Sequence, residues 1–324
     1  MRDDTIDRLR GLSILIMFYA HLIPHYSDSG TILFFFERII SSVAAPVFLF
    51  LVGYNFNSSQ SFKRLSKRIV IILFFAALID LLIWNIYPFY SFDVLYLIGF
   101  SLLFLFTLRN IQKIWKWLIV MFLIVSPLII DFFILYSNHL EEPYLNEEFN
   151  LSSIPYNFFV NGWFPFFPWI LFPLVGLLFK KININKWPFR IITLIFLLFS
   201  IYFLSFVDFE TRTFAIEIFY PANLTYLFFA LSYVLFIWVN RGVFEFNPFK
   251  FLSVLGKTSF FLYALHLSIY RFTADFMIEI MPNRFLCLII YSGLFWIIAY
   301  VIDRNKKKWN AYEKYEFLQV ILGR

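Results

Sequence analysis

Cysteine is almost missing from this chain: Cys287, inside an apolar run, is the only one in 324 residues. An internal disulfide and a cysteine-built metal cluster are therefore excluded. Charge is scarce as well, at 15% of residues, where a soluble domain carries about 25%. Glycine is thin, with 10 residues, and no Gly-rich phosphate loop, nucleophile elbow or metalloprotease helix pattern occurs. Histidine is limited to four. Two of them, His21 and His266, fall in apolar stretches, but no third and fourth ligand is convincingly spaced beside them, so zinc is rejected and no metal is expected. No repeat of the solenoid or transporter kind is visible.

What is present is apolar. Hydrophobic residues make up 61% of the chain, 48 of them phenylalanine, and the mean hydropathy is +0.76. The runs are too many and too long for one water-soluble core. The fold class read from this is an all-α polytopic membrane protein, with about ten transmembrane helices around a central cavity. The spans lie at roughly 9–26, 31–56, 69–88, 91–108, 116–136, 163–180, 189–207, 219–239, 252–272 and 284–303. The net charge of +6 is thus no sign of nucleic acid; it asks on which side of the bilayer each charge lies. Segments on one side hold 23 of the 27 Lys and Arg, leaving Arg38, Arg212, Arg271 and Arg284 on the other, with the acidic loop Glu141, Glu142, Glu147 and Glu148. That partition places both termini in the cytoplasm of a multi-pass cell-membrane protein.

The first apolar stretch has no small-residue cleavage site and is expected to be retained. The long connection near 137–162 is external, acidic and proline-containing, and reads as a cap. Residues 1–303 form a single transmembrane domain, and 304–324 a cytoplasmic tail whose Tyr312, Tyr315, Leu318 and Ile321 recur at helical spacing, as in an interfacial helix. The sixth span carries Pro165, Pro168 and Pro173 and cannot be an undisturbed helix.

Polar residues in these spans are few enough to be read one by one. Arg10 and His21 are eleven positions apart on the first span, which is three helical turns, so they share a face. An ionisable group inside a span is a functional candidate because its burial in lipid is costly. By the same rise per residue, Asp80 and His266 come to heights comparable to His21, with Glu37 and Arg38 a turn or two in from the outer side. Below them lie Arg10, the Lys63, Arg64, Lys67 and Arg68 cluster, and Lys257. Positive charge at an inner mouth suits a phosphorylated cytosolic ligand, although the Lys63 to Arg68 cluster has a ligand-free reading as ordinary positive-inside charge. His25 and His139 read as solvated outer residues.

Arg10 followed by His21 resembles the Arg-x10-His signature of the acyltransferase-3 family. The remaining landmarks are more similar to the bacterial and archaeal relatives of heparan-α-glucosaminide N-acetyltransferase. They are Asp7-Arg8-Leu9-Arg10-Gly11, Ala45 to Gly53, Leu95-Tyr96-Leu97-Ile98-Gly99, Phe167-Pro168-Trp169, Tyr220 to Tyr226 and Gly256 to His266, in that order. One departure is the absence of the longer histidine-bearing segment that follows span one in the human-type enzyme. A catalytic role for His21 therefore follows from the Arg-x10-His pattern.

The resemblance implies an acyl-CoA-dependent O- or N-acyltransferase that moves an acyl group, acetyl on family grounds, from cytosolic acyl-CoA to a sugar or glycolipid acceptor at the outer face. His21 and Arg10 would be catalytic, with His266, Asp80, Glu37, Arg38 and Asp7 supporting or on the acceptor side. Arg10, Arg64, Lys67, Arg68 and Lys257 would bind acyl-CoA. The partners are acyl-CoA, the carbohydrate or glycolipid and the bilayer, with a homodimer left open. The rival reading is a proton-coupled transporter or lipid flippase, which also needs buried ionisable groups. The topology has a direct test. In intact cells, a cysteine placed at Ser153 is expected to react with an impermeant maleimide and one at Ser66 is not; the opposite labelling reverses the orientation and the donor side.

Overall fold

The computed structural model describes residues 3–22, 32–134, 145, 150–180, 182, 187–206, 218–220, 222–280, 283–309, 312 and 314–323. His25, His139 and the loop residues Glu141, Glu142, Glu147 and Glu148 lie outside them. All regular structure longer than an isolated bridge is helical among the described residues, as expected where the backbone must satisfy its own hydrogen bonds in hydrocarbon. In chain order the helices are α1 (Asp4–Leu22), α2 (Ile32–Ser41), α3 (Ala44–Tyr54), α4 (Phe62–Ile79), α5 (Val94–Thr107), α6 (Lys113–Phe133), α7 (Ser153–Tyr156), α8 (Phe166–Trp169), α9 (Leu171–Phe179), α10 (Trp187–Leu204), α11 (Leu224–Val239), α12 (Lys250–Lys257), α13 (Ser259–Ile280), α14 (Arg284–Asn305) and α15 (Glu316–Ile321).

Five helical stretches among the described residues are long and apolar enough to cross a membrane: Phe36–Tyr54, Lys113–Phe133, Ser153–Phe179, Trp187–Leu204 and Phe285–Asn305. Counted as one span, the bent pair Asn247–Lys257 and Ser259–Thr273 brings the number to six, and Val94–Asn110 and Leu224–Val239 are apolar but shorter. The span expected at 163–180 is broken: a π turn at Asn157–Asn161 precedes it, and Phe167 interrupts it with an extended backbone, φ −99° and ψ 125°. The span expected at 252–272 is not straight either, because α12 and α13 meet at 77°. Among the described residues the tail is helical at Tyr312, at Lys314 and over Glu316–Ile321, in keeping with the helical spacing of its apolar residues.

The chain divides into two compact units, residues 1–48 with 240–324, and residues 49–239. In the first, α1 and α12 approach backbone to backbone. A methyl group on Gly11 would stand 2.0 Å from the carbonyl oxygen of Leu252, and one on Gly256 would stand 1.7 Å from that of Asp7. Lipid tails are as apolar as side chains, so helices in a membrane associate by close packing, which small residues permit. The tail closes on the same place. Gly323, at φ +76°, leaves no room for a side chain beside the Lys257 carbonyl. Lys306, only 2% exposed, donates to the Gly323 carbonyl at 2.8 Å and pairs with Asp303 at 3.0 Å. Lys306 thus anchors the tail internally.

The second unit repeats the device with α3 and α9, where Gly53 lies against the Pro173 carbonyl and Gly176 against that of Phe50. Here the spans differ in surroundings: 72% of the Ser153–Phe179 window is buried but only 17% of Trp187–Leu204, so α10 presents most of its phenylalanines outward, as a lipid-facing helix does. Ser153 is buried while Ser152 beside it is exposed, which makes Ser152 the better position for cysteine labelling.

The glycine crossing predicts opposite outcomes for one substitution at two places. Gly256→Ala forces a methyl group into a carbonyl oxygen, and overpacking of this kind costs about 1–3 kcal/mol or more. Gly293→Ala on α14 meets nothing within 4 Å and is expected to be neutral or to stabilise by up to about 1 kcal/mol, from helix propensity. Thermal unfolding of the purified protein in detergent, followed for both variants, checks this; equal midpoints would remove the crossing from the account of stability.

Candidate active site

The first unit is assembled at the N-terminal end of α1. Asp4 and Asp7 occupy its first turn, where negative charge complements the helix dipole. Arg8 pairs with Asp4 at 2.7 Å and donates to the carbonyl oxygens of Phe244 and Phe246 at 2.6 and 3.1 Å. It is a clamp that ties α1 to the segment leading into α12. Ser253 of α12 donates to Asp4 at 2.6 Å. Burial works against ionisation of Asp4, but the hydrogen bonds from Ser253 and Arg8 and the charges of Arg8 and Lys257 outweigh it and hold the carboxyl below its usual range. Arg10, one helical step on, pairs with the buried Asp7 at 2.8 Å and keeps 23% of its side chain exposed.

His21 is at the other end of the same helix, roughly 16 Å of rise from Arg10. The two do share α1, but a guanidinium cannot reach an imidazole over that distance, so Arg10 does not orient His21 by contact. Its neighbours come instead from α13. The His21 ring centroid lies 5.2 Å from that of His266 and 5.5 Å from that of Tyr270. These three rings, with Phe18, Leu22 and Tyr291, line one small pocket. His266 is fully buried, its Nδ1 bonded at 3.2 Å to the carbonyl oxygen of Leu262. Glu37 and Arg38 are buried on α2, and Tyr19 of α1 donates to Glu37 at 3.0 Å.

Asp80 belongs to the second unit. It is fully buried at the end of α4, and it accepts from Ser91 Oγ at 2.6 Å, Tyr96 OH at 2.6 Å and the Phe89 amide at 3.1 Å. Phe89 and Ser91 belong to the turn between α4 and α5, where Asn85, Phe89 and Phe92 all have positive φ, and Tyr96 to the first turn of α5. A carboxylate with three donors at a strained turn holds backbone in place. Arg64 and Lys67 are exposed on the first turns of α4 and Arg68 is half-buried there. Cations at a helix N-terminus run against its dipole, so helix stability does not account for them. Lys257 ends α12. Among the described residues no group of three or more His, Cys, Asp or Glu is placed to hold a metal ion.

Sequence reasoning selected both pocket histidines but passed over Tyr270 and Tyr291, as it did Arg8, Ser91 and Tyr96. Tyr270 was legible, since it stands four residues after His266 on one helix face. Tyr291 was not, because only packing of α14 against α13 brings it in.

Residues 2–205 match the model of the heparan-alpha-glucosaminide N-acetyltransferase catalytic domain. No curated protein and no solved structure matches the chain. The match spans well over half of the sequence and includes Arg10, His21, Asp80 and the α4 cations, while His266 lies beyond it. With its all-helical, membrane-length architecture, the chain belongs to the heparan-α-glucosaminide N-acetyltransferase family and is a membrane acetyltransferase.

Proposed function

We propose that this acetyltransferase takes its acyl group, acetyl, from cytosolic acetyl-CoA and passes it to a hydroxyl or amine of a sugar or glycolipid at the outer face of the cell membrane, with both termini cytoplasmic. The observation that carries the reading is α1 itself. One unbroken helix bears a carboxylate-held arginine at one end and a histidine in an aromatic pocket at the other. A long donor with phosphates at one end and a thioester at the other fits such a helix: Arg10 takes the phosphate or polar arm and His21 acts at the reacting end, as general base or as acyl carrier. Lys257, in the same unit as Arg10, supplies further charge for the nucleotide phosphates. Glu37, Arg38 and Asp7 act by holding α1 and its neighbours, and Asp80 by holding its turn.

Two measurements test this. Purified protein in detergent, with no membrane to separate compartments, is expected to consume acetyl-CoA, which a transporter does not. His21→Ala is expected to cut turnover by a factor on the order of 10² or more with the fold retained, the usual scale for a positioned proton-transfer group; normal turnover with a lowered melting temperature would make His21 a packing residue.

The role of Arg10 has its own test, calorimetric titration of CoA. Arg10→Ala is expected to weaken binding about ten- to a hundredfold, the loss of a charge-assisted hydrogen bond worth roughly 1.5–3 kcal/mol. Arg10→Lys should recover part of this, because an ammonium keeps the charge and loses the planar fork. His21→Ala should bind CoA as the wild type does. Equal affinity in all four proteins removes Arg10 from the donor site.

A further inference from the structure

The two nitrogens of His266 are in different situations. Nδ1 lies 3.2 Å from the carbonyl oxygen of Leu262; a carbonyl only accepts, so Nδ1 carries the hydrogen. Nε2 is buried and has no hydrogen-bond partner among the described residues. A proton on Nε2 would be a buried positive charge with no acceptor, which is costly in apolar surroundings. The resting ring is therefore neutral, with a bare lone pair at Nε2. The whole residue is 2% exposed, yet its ring lines the pocket shared by His21, Tyr270 and Tyr291. An orphaned buried acceptor calls for an explanation, and a donor that arrives with the substrate supplies one.

We infer that His266 Nε2 is the base that receives the acceptor's proton during acetyl transfer. This deepens, and depends on, the acetyltransferase reading above. The acceptor O–H or N–H donates to Nε2 in the pocket. As its oxygen or nitrogen forms the bond to the acetyl carbonyl carbon, the proton passes to Nε2. The C–S bond then breaks with its electron pair on sulfur, the CoA thiolate takes the proton from Nε2, and the ring returns to its Nδ1–H form. The Leu262 carbonyl fixes the tautomer and steadies the imidazolium in between, as a partner on the far nitrogen does for any working histidine. His21, with its ring centroid 5.2 Å away, then serves the thioester side, since two imidazolium ions side by side would repel. His266 is thus separated in role from His21, and both reach the pocket from different helices.

The experiment uses the full chain in detergent with 15N-labelled histidine. The signals that disappear in His266→Asn are expected to show a protonated Nδ1 and an unprotonated Nε2 in the wild type at neutral pH. A hydrogen on Nε2 would overturn the inference whatever the variant does. His266→Asn keeps a donor for the Leu262 carbonyl and removes the base. With acetyl-CoA and glucosamine as probes, its kcat is expected to fall about a hundredfold or more, while KM for acetyl-CoA moves by less than about threefold. Wild-type kcat in folded His266→Asn would sink this inference and leave the acetyltransferase reading standing. A wild-type protein that transfers nothing to any hydroxyl or amine acceptor would bring down that reading, and the role of His266 with it.

Discussion

The contact on which the first unit depends is the meeting of α1 and α12 at Gly11 and Gly256. With no Cβ on either residue, each helix lies against a carbonyl oxygen of the other, a distance that any side chain would forbid. Polar clasps then fasten the crossing at its edge: Ser253 to Asp4, and Arg8 to the carbonyls just before α12. Because α12 must lie across α1 to make this contact, the chain turns by 77° before it can continue as α13. That turn brings the ring of His266 within 5.2 Å of that of His21. A glycine crossing at Gly11 therefore determines which helix faces the histidine about three turns further on.

The second unit treats its buried polar groups differently. Asp80 has no cationic partner in the contacts seen, and its oxygens are filled by two hydroxyls and one amide. What it secures is a turn that two phenylalanines enter at positive φ, a region unfavourable for bulky side chains. The amides of Trp163 and Phe164 bond to the carbonyls of Ser91 and Phe92, and Asn157 donates to the carbonyl of Tyr90. A strained turn persists when its surroundings over-determine it in this way. The same π-turned segment that supplies Asn157 leads into the proline-broken helix, so irregular backbone on both sides is satisfied by its opposite.

Along α1, chemistry is graded from charge to titratable ring. At one end ionic groups are paired, Arg8 with Asp4 and Arg10 with Asp7. At the other, imidazole and phenol rings face one another in an apolar pocket. The proposed donor, anionic at one end and a neutral thioester at the other, matches that gradient, and in low dielectric surroundings a neutral imidazole is the better resting state for the proposed base.

The membrane class was legible in the composition alone, because hydrophobic residues at this density have no water-soluble solution. That Arg10 and His21 stand on one helix was legible, since their spacing needs nothing but the helical repeat. Gly11, Gly53 and Gly256 were present in the motifs that carried the family resemblance, but their reason was invisible until the facing carbonyls were known. What Lys306 and Asp80 touch was not legible, because packing sets it: the one reaches the Gly323 carbonyl and Asp303, the other two hydroxyls and an amide. The bilayer as solvent, the family resemblance and the helix that bears Arg10 and His21 could be read from the residues, because they follow from local composition and period. That His266, Tyr270 and Tyr291 share the pocket of His21, and that the Nε2 of His266 has no partner among the described residues, emerged with the packing, because a ring's partners are set by helices that meet far apart in the chain.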